Sequence, residues 1–393
     1  MKSFPAAEFA PSSGIAPAPV SAAEQAARIC FFHQNDVFGM QGGIERYVST
    51  VITYAGDRVA LASPPISQPS VRHISVHERG PKGAPQWLRF LLGMVAQRRE
   101  IGAFLRRNDL GVLEFSRPEY ALAAWLFPGK RVFTIHGTGP GPGHRLHYLL
   151  HHACCLLLPL IADRVQVIGR DASGLPKIAR SWLGSRIAYV DAWYDQCFVE
   201  KPFPPLAEQD PVRVFYAGRI APQKNPALLF AIIREAARRA PGAFEFHYFG
   251  SDYAAFVAAG LSDLVEDHGF LGPQALAEKI ASCHFGLLCS AYGEGSPYIL
   301  VESLACGRPF VAPSLPTLLA AYGGHAGVRF VARDQAPDFV AAMMELSRAI
   351  RAGKIEPAIL AAQIAPRAQS RAVPALLDAL AALQSIGPDG ATC

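Results

Sequence analysis

Two doubly wound α/β domains, each built on a parallel sheet, are what this sequence predicts. Three observations lead there. A chain of 393 residues exceeds what one hydrophobic core usually holds. Short apolar runs alternate with stretches of helical spacing along both halves, the pattern of strand–helix–strand units. Between the halves, Lys201-Pro-Phe-Pro-Pro205 places three prolines in five residues and reads as a linker. The expected division is a flexible tail over 1–26, domains over 27–205 and 206–373, and a terminal segment over 374–393.

Composition narrows the function classes. With 51% apolar and 18% charged residues, the chain suits a packed globular protein rather than a disordered one. A net charge of +5 leans towards phosphates or anionic lipid but falls short of a nucleic-acid footprint. The eight cysteines form no C-x-x-C pair, which points to reduced core thiols and a cytoplasmic setting. Residues 1–26 lack the layout of a signal peptide. No stretch reaches the ~18 uninterrupted apolar residues of a membrane span; Leu146 to Ala162 comes nearest and reads as a buried helix or a pair of short ones.

In the first half, Arg28–His33 is the first strand. Gly42 and Gly43 follow where a helix begins, and would let backbone approach a ligand at the helix N-terminus. Arg58–Ala62, Val71–Val76, Gly111–Phe115, Arg131–Ile135, Ala162–Ile168 and Ser185–Val190 supply further strands. Gln86 to Arg107 reads as one amphipathic, arginine-rich helix, suited either to an anionic membrane surface or to covering the sheet. The strand ending at Ile135-His136-Gly137 runs into a Gly/Pro-rich loop without a G-x-G-x-x-G register, which sets dinucleotide binding aside. His136 stands at a strand's C-terminal end and is a site candidate. His144, His147, His151 and His152 could share a helix face, but no carboxylate or cysteine in the sequence completes a metal site there.

In the second half, Val212–Ala217 runs into Gly218-Arg-Ile-Ala-Pro-Gln-Lys224 and a helix to about Arg239. Arg219 and Lys224 bracket this loop beside free helical N–H groups, an arrangement that suits a diphosphate. Glu245–Phe249 is the next strand, and Gly269-Phe-Leu-Gly272 follows a helix. The central unit is Phe285 to Pro313: a strand, the turn Gly293-Glu294-Gly295-Ser296-Pro297, a helix closed by Cys306-Gly307, and a strand from Pro309. Glu294 lies where open α/β sheets bind ligands, and Glu302 returns to roughly the same side two turns on. Carboxylates and helix N–H groups together match the hydroxyls and phosphates of a nucleotide sugar. A capped helix with one solvated glutamate produces the same spacing. Ala326–Val331 and a helix near Asp338–Arg351 complete the domain, and a last helix runs from after Pro374 to about Ser385.

Taken together, Gly218-Arg219 with Lys224, Gly269-Phe-Leu-Gly272, and Glu294-x7-Glu302 within GEGSPYILVESLACGRPFVA resemble the family-4 retaining glycosyltransferases of the GT-B fold. Gly42-Gly43-Ile-Glu-Arg46, Ile135-His136-Gly137 and Ala162-Asp163 resemble the same family's amino-terminal landmarks, so the likeness spans about residues 27–385. It implies two Rossmann-like domains facing across a cleft, with the final helix crossing back onto the first. Arg219 and Lys224 would hold the donor diphosphate, and Glu302 the ribose hydroxyls. Glu294 would sit by the donor sugar, near the backbone amides of Gly295, Ser296, Pro297 and Tyr298. Gly42 and Gly43 would approach the distal phosphate, and His136 would reach the sugar or acceptor. The donor would be a UDP- or GDP-hexose, with no metal and no other cofactor, and the acceptor a glycan or lipid-linked hydroxyl. Two departures stand out: Asp191-Ala-Trp-Tyr-Asp195 replaces an Asn-Gly-Val-Asp turn, with Asp195 aligned to its acid, and Asn225 replaces a frequent glycine. A glycoside hydrolase or phosphorylase using Glu294 and Glu302, or a nucleotide-sugar-binding protein without turnover, are the competing readings.

Overall fold

The computed structural model describes residues 28–39, 42–68, 70–137, 145–332 and 335–384. The tail over 1–26, His144 and most of the 137–143 loop lie outside them. Strands β1 (Ile29–Phe32), β2 (Val59–Ser63), β3 (His73–Ser75), β4 (Val112–Phe115), β5 (Lys130–His136), β6 (Arg164–Ile168) and β7 (Ile187–Val190) form one sheet. Its order is β3-β2-β1-β4-β5-β6-β7. Strands β8 (Val212–Ala217), β9 (Phe244–Phe249), β10 (Val265–Asp267), β11 (Phe285–Leu287), β12 (Phe310–Pro313) and β13 (Val328–Val331) form the second, ordered β10-β9-β8-β11-β12-β13. Every pairing is parallel. In both sheets the strand order reverses beside the first strand, and crevices for ligands open beyond the C-terminal strand ends at that point.

Alternation along the strands divides the core. In the first domain, Cys30, Phe32, Leu113 and Phe115 face the helices of residues 86–107, 121–124 and 145–161. Ile29, Phe31, Val112 and Val132 face helix Gly43–Ala55 and helix Gln369–Gln384. The chain's last helix is therefore part of the first domain's core. The segments leaving and re-entering that domain run side by side: Tyr194 N–H donates to Arg367 O at 3.1 Å, and Gln369 N–H donates to Tyr194 O at 2.9 Å.

Several elements differ from the sequence expectation. Gln86–Arg107 is two helices, Gln86–Ala96 and Arg98–Arg107, broken at Gln97. The Gln97 side chain bonds His77 N and Ser75 O, fixing the break to strand β3. The apolar side of both helices (Trp87, Phe90, Met94, Ile101, Leu105) lies in the core, so it is not available to a membrane. Residues 145–161 form one helix, and it is not buried all round: Leu146, Leu149 and Leu160 are 81%, 64% and 76% exposed. A strand, β10, precedes Gly269 instead of a helix. Its sequence Val-Glu-Asp has little strand character, and pairing with β9 decides it. Helix Pro357–Ile364 was not anticipated. The last helix begins at Gln369, ahead of Pro374; burial of Val373, Leu376, Leu377 and Leu380 outweighs the one helical hydrogen bond the proline removes.

A polar group sits in the middle of the first sheet. The Thr134 hydroxyl donates to Glu114 Oε1 at 2.5 Å, and the Tyr47 hydroxyl donates to Gln166 Oε1 at 3.1 Å. Burial pushes the Glu114 carboxyl from 4.5 up to about 7, against the opposing hydrogen bonds from Thr134 and Tyr47. The folded chain thus keeps a proton that the unfolded chain releases at lower pH, so stability from this group declines as pH rises from about 4.5 to 7. Glu114→Gln is expected to raise unfolding free energy at pH 8 by roughly 1–3 kcal/mol and to flatten that decline. Urea melts of both proteins at pH 5 and pH 8 read it; an equal pH slope in the two would refute it.

Candidate functional site

The loops that follow β8 and β11 lie together at the switch point of the second sheet. Ala291 N–H donates to Gln223 O at 3.0 Å, tying one loop to the other. Strand β11 ends at Leu287, short of the expected Ser290, and the Ser290 hydroxyl donates to Glu294 Oε1 at 2.6 Å. Lys224 Nζ donates to the same oxygen at 2.5 Å. The Thr317 hydroxyl bonds the Glu294 carbonyl, so both ends of this residue are held. Glu294 is buried, whereas Arg219 is exposed; its carbonyl accepts from the Tyr216 hydroxyl at 3.4 Å, and its guanidinium forms no hydrogen bond or ion pair with the described residues. Asn225 takes the left-handed conformation, φ 52°, and caps helix Pro226–Arg239 by accepting from Leu228 N–H. An asparagine can stand where glycine is frequent for that reason. Gly218, at φ 140°, accepts from the Tyr248 hydroxyl through its carbonyl at 3.0 Å.

The first domain meets this loop backbone to backbone. A Cβ on Gly137, whose φ is 78°, would stand 2.5 Å from Gly293 O, and one on Gly295 would stand 2.3 Å from Ile168 O. Only glycine permits the ends of β5 and β6 to close on the Gly293–Gly295 turn. Ser296 is held structurally: its hydroxyl accepts from Ala192 N–H at 3.1 Å and meets the Tyr322 hydroxyl at 3.0 Å. Pro297 caps helix Tyr298–Ala305, whose first N–H groups have no partner within the helix. Gly43 faces the Tyr298 ring, and Gly42 sits against the Glu45 carboxylate.

Glu302 is buried in an ion pair with Arg46 of the first domain, and the Arg46 guanidinium lies 4.4 Å from the centre of the Tyr298 ring. Burial alone would lower the Arg46 pKa, but the facing Glu302 carboxylate raises it. Arg46 is part of the quoted Gly42–Arg46 motif, yet sequence reasoning assigned it no role. The charge-bearing first helical turn after two glycines was the available signal.

His136 sits at the end of β5 with its ring packed nearly perpendicular to that of Tyr47, centroids 5.5 Å apart. Burial, reinforced by neighbouring His33, lowers its pKa to about 3, so the ring is neutral at physiological pH. Beside it lies a group the sequence did not reveal: His33 Nδ1 bonds Ser116 Oγ at 2.9 Å, and Asn35 donates to Glu45 Oε1 at 2.7 Å. Burial would raise the Glu45 carboxyl, but bonds from His33 and Asn35 bring it down to about 2. His33 and Asn35 follow β1, Ser116 follows β4, and Glu45 lies in the first turn of helix Gly43–Ala55, all at the switch point of the first sheet; for His33, Asn35 and Ser116, position at a strand end was the only signal. The described histidines of helix 145–161 have a different explanation from a metal site. A carboxylate does stand among them: Glu119 Oε1 lies 3.1 Å from both His147 Nε2 and His151 Nδ1. Arg117 forms an ion pair with that carboxylate, and the two imidazoles hydrogen-bond to it.

Of the residues proposed from sequence, the structure gathers Gly218, Arg219, Lys224, Glu294 and Gly295–Tyr298 along one sheet's strand ends. Gly42, Gly43 and His136 line the facing edge of the other domain. Glu302 reaches that edge through Arg46.

Residues 211–349 match the family model described as glycosyl transferases group 1. None of the curated proteins matches the chain. Among solved structures, Anabaena Alr3699/HepE in complex with UDP superposes with a TM-score of 0.68 at 14% identity, covering 90% of this chain and 100% of that one. WaaG, a glycosyltransferase involved in lipopolysaccharide biosynthesis, gives 0.66 at 10% identity, covering 90% and 99%. Sucrose-phosphate synthase from Thermosynechococcus elongatus gives 0.64 at 16% identity, covering 91% and 97%.

Proposed function

We propose that this chain, a GT-B protein whose second domain is of the glycosyl transferases group 1 kind, moves a hexose from a nucleotide diphosphate sugar to an acceptor hydroxyl with retention of configuration. The observation that carries the reading is the junction of the two loops: Lys224 bonded to a buried Glu294, with the unpaired Arg219 on the same loop. A diphosphate would compete with Glu294 for Lys224 and find Arg219 uncommitted. Both cations would stabilise the leaving phosphate, the service a divalent metal supplies elsewhere, so the reaction itself needs no metal. Glu302 would take the ribose hydroxyls once Arg46 yields part of its carboxylate. His136, neutral across the working pH range, would act by hydrogen bonding and not as an acid. Glu294 and Glu302 are each tied to a cation, which suits holding a donor better than the free acid–base pair that hydrolysis requires.

The UDP held by HepE and the pathway of WaaG support a uridine donor and a polysaccharide, lipopolysaccharide or glycolipid acceptor. The test is incubation with UDP- and GDP-hexoses, with and without EDTA, with nucleotide release followed alongside a thermal-shift panel of the free nucleotides. Stabilisation by one nucleotide, surviving EDTA and lost in Lys224→Ala, is the expected result. Hydrolysis of glycosides without any nucleotide would replace the reading.

A cytoplasmic position against an anionic membrane fits a lipid-linked acceptor. No helix of the described residues is long and apolar enough to cross a membrane. The contact face would be helix 145–161, where Leu146, Leu149 and Leu160 stand exposed, and not the 86–107 helices. Paired Leu149→Glu and Leu160→Glu substitutions are expected to weaken flotation with phosphatidylglycerol vesicles by at least about tenfold, since each leucine buried contributes roughly 1.5–3 kcal/mol. Unchanged flotation would exclude this face.

A further inference from the structure

A cluster of metal-ligand type lies on the flank of the second sheet, apart from the cleft. His247 on β9 and Glu266 on β10 are register partners. His268 follows two residues after Glu266, and its N–H extends the ladder by donating to Tyr248 O at 3.0 Å. The two-residue period of the strands puts all three side chains on one face. His247 Nδ1 lies 3.0 Å from His268 Nε2. The Glu266 carboxylate oxygens lie 3.4 Å from His247 Nδ1 and 3.4 Å from His268 Nε2.

We propose that His247, His268 and Glu266 form a binding site for a divalent transition-metal ion, with zinc(II) the best match. Metal–ligand distances of about 2.0–2.2 Å around a tetrahedral ion place neighbouring ligand atoms about 3.3–3.6 Å apart; the separations of 3.0, 3.4 and 3.4 Å here need only a small opening of the two rings to reach that range. Two imidazoles and a carboxylate are an accepted donor set for zinc.

A carboxylate for the outer shell stands close by as well. His247 is 8% exposed, and its Nε2 atom is buried with no hydrogen-bond partner among the described residues. The nearest carboxylate oxygen, on Glu245, is 3.5 Å away. An Nε2 proton drawn towards Glu245 leaves the Nδ1 lone pair for the ion, the usual carboxylate–histidine–metal relay. The three ligands line a cavity of about 470 Å³ together with Arg213, Lys279 and His284. This cavity leaves room for a water as fourth ligand, while the two cations moderate affinity.

The site joins β10, an edge strand of only three residues, to β9. It also anchors the residue immediately before the Gly269–Gly272 loop. Its role is therefore to hold the edge of the nucleotide-side domain, not to act in group transfer.

The test uses the full chain, stripped with EDTA and dialysed, then titrated with zinc by calorimetry and with cobalt(II) by visible absorption. One ion per chain, the intense absorption of four-coordinate cobalt and a higher Tm are expected. Glu245→Gln should weaken zinc binding roughly 10- to 100-fold. Glu266→Gln, altering a carboxylate that is 54% exposed, and His268→Ala should weaken it further with the fold retained by circular dichroism. His151→Ala should leave it unchanged. Wild-type affinity in both folded Glu266→Gln and His268→Ala, or loss confined to His151→Ala, overturns the proposal.

Discussion

Lys224→Ala is expected to lower kcat/KM for the nucleotide sugar by roughly ten- to a hundredfold, the effect of losing a charge-assisted contact of ~1.5–3 kcal/mol. The lysine touches Glu294, which in turn is held by Ser290 and Thr317. Removing it leaves the surrounding loop braced, so the melting temperature should change little while nucleotide stabilisation disappears. Glu302→Ala should weaken donor binding by a similar factor for a different reason. It removes the carboxylate proposed to accept from ribose and also frees Arg46, which lies over Tyr298. Steady-state kinetics across a series of donor concentrations separate the two, because loss of ribose contacts raises KM more than it lowers kcat. Near wild-type kinetics in both variants would remove the site assignment.

The largest stability effect is expected at Arg308. Its side chain is fully buried and donates to Lys201 O at 2.8 Å, Pro202 O at 2.8 Å and Ala281 O at 2.7 Å. The guanidinium also lies 5.0 Å from the centre of the Phe203 ring. Burial lowers its pKa to about 10, which still leaves it charged at pH 7. The linker is thereby fastened to the second domain. Arg308→Met should cost on the order of 3–5 kcal/mol, since three buried carbonyls lose their donor together. Arg308→Lys should rescue little, because a single ammonium cannot span the same fork. Chemical denaturation checks the magnitude, and faster proteolysis within 201–205 checks the mechanism. A Met variant within about 1 kcal/mol of wild type would refute the role.

Much of this architecture is local in origin and was legible. Apolar runs bounded by small residues became β1, β4, β8 and β12. Cys306-Gly307 closed its helix as expected, with Gly307 at φ 73°. The loops bearing Arg219, Lys224 and Glu294 stand at strand ends because a parallel sheet leaves its connections there. Each of these features depends on residues within a turn or two of one another, so a single sequence contains them.

Other features needed the folded chain. Strand β10 exists through pairing with β9, not through its own composition. The Gln97 break follows from contacts with β3, twenty residues away. Arg46 meets Glu302, Arg308 meets the linker, and His247 meets His268 only after the sheets have formed. Such pairs carry no periodicity or spacing that marks them in advance. The sequence alone determined two doubly wound domains and the loops that present Arg219 and Lys224 at strand ends, because propensity and turn chemistry act locally. Which carboxylate each cation faces, how closely the glycine turns meet, and where the last helix packs were decided by tertiary structure, because those energies arise from burial and long-range contact.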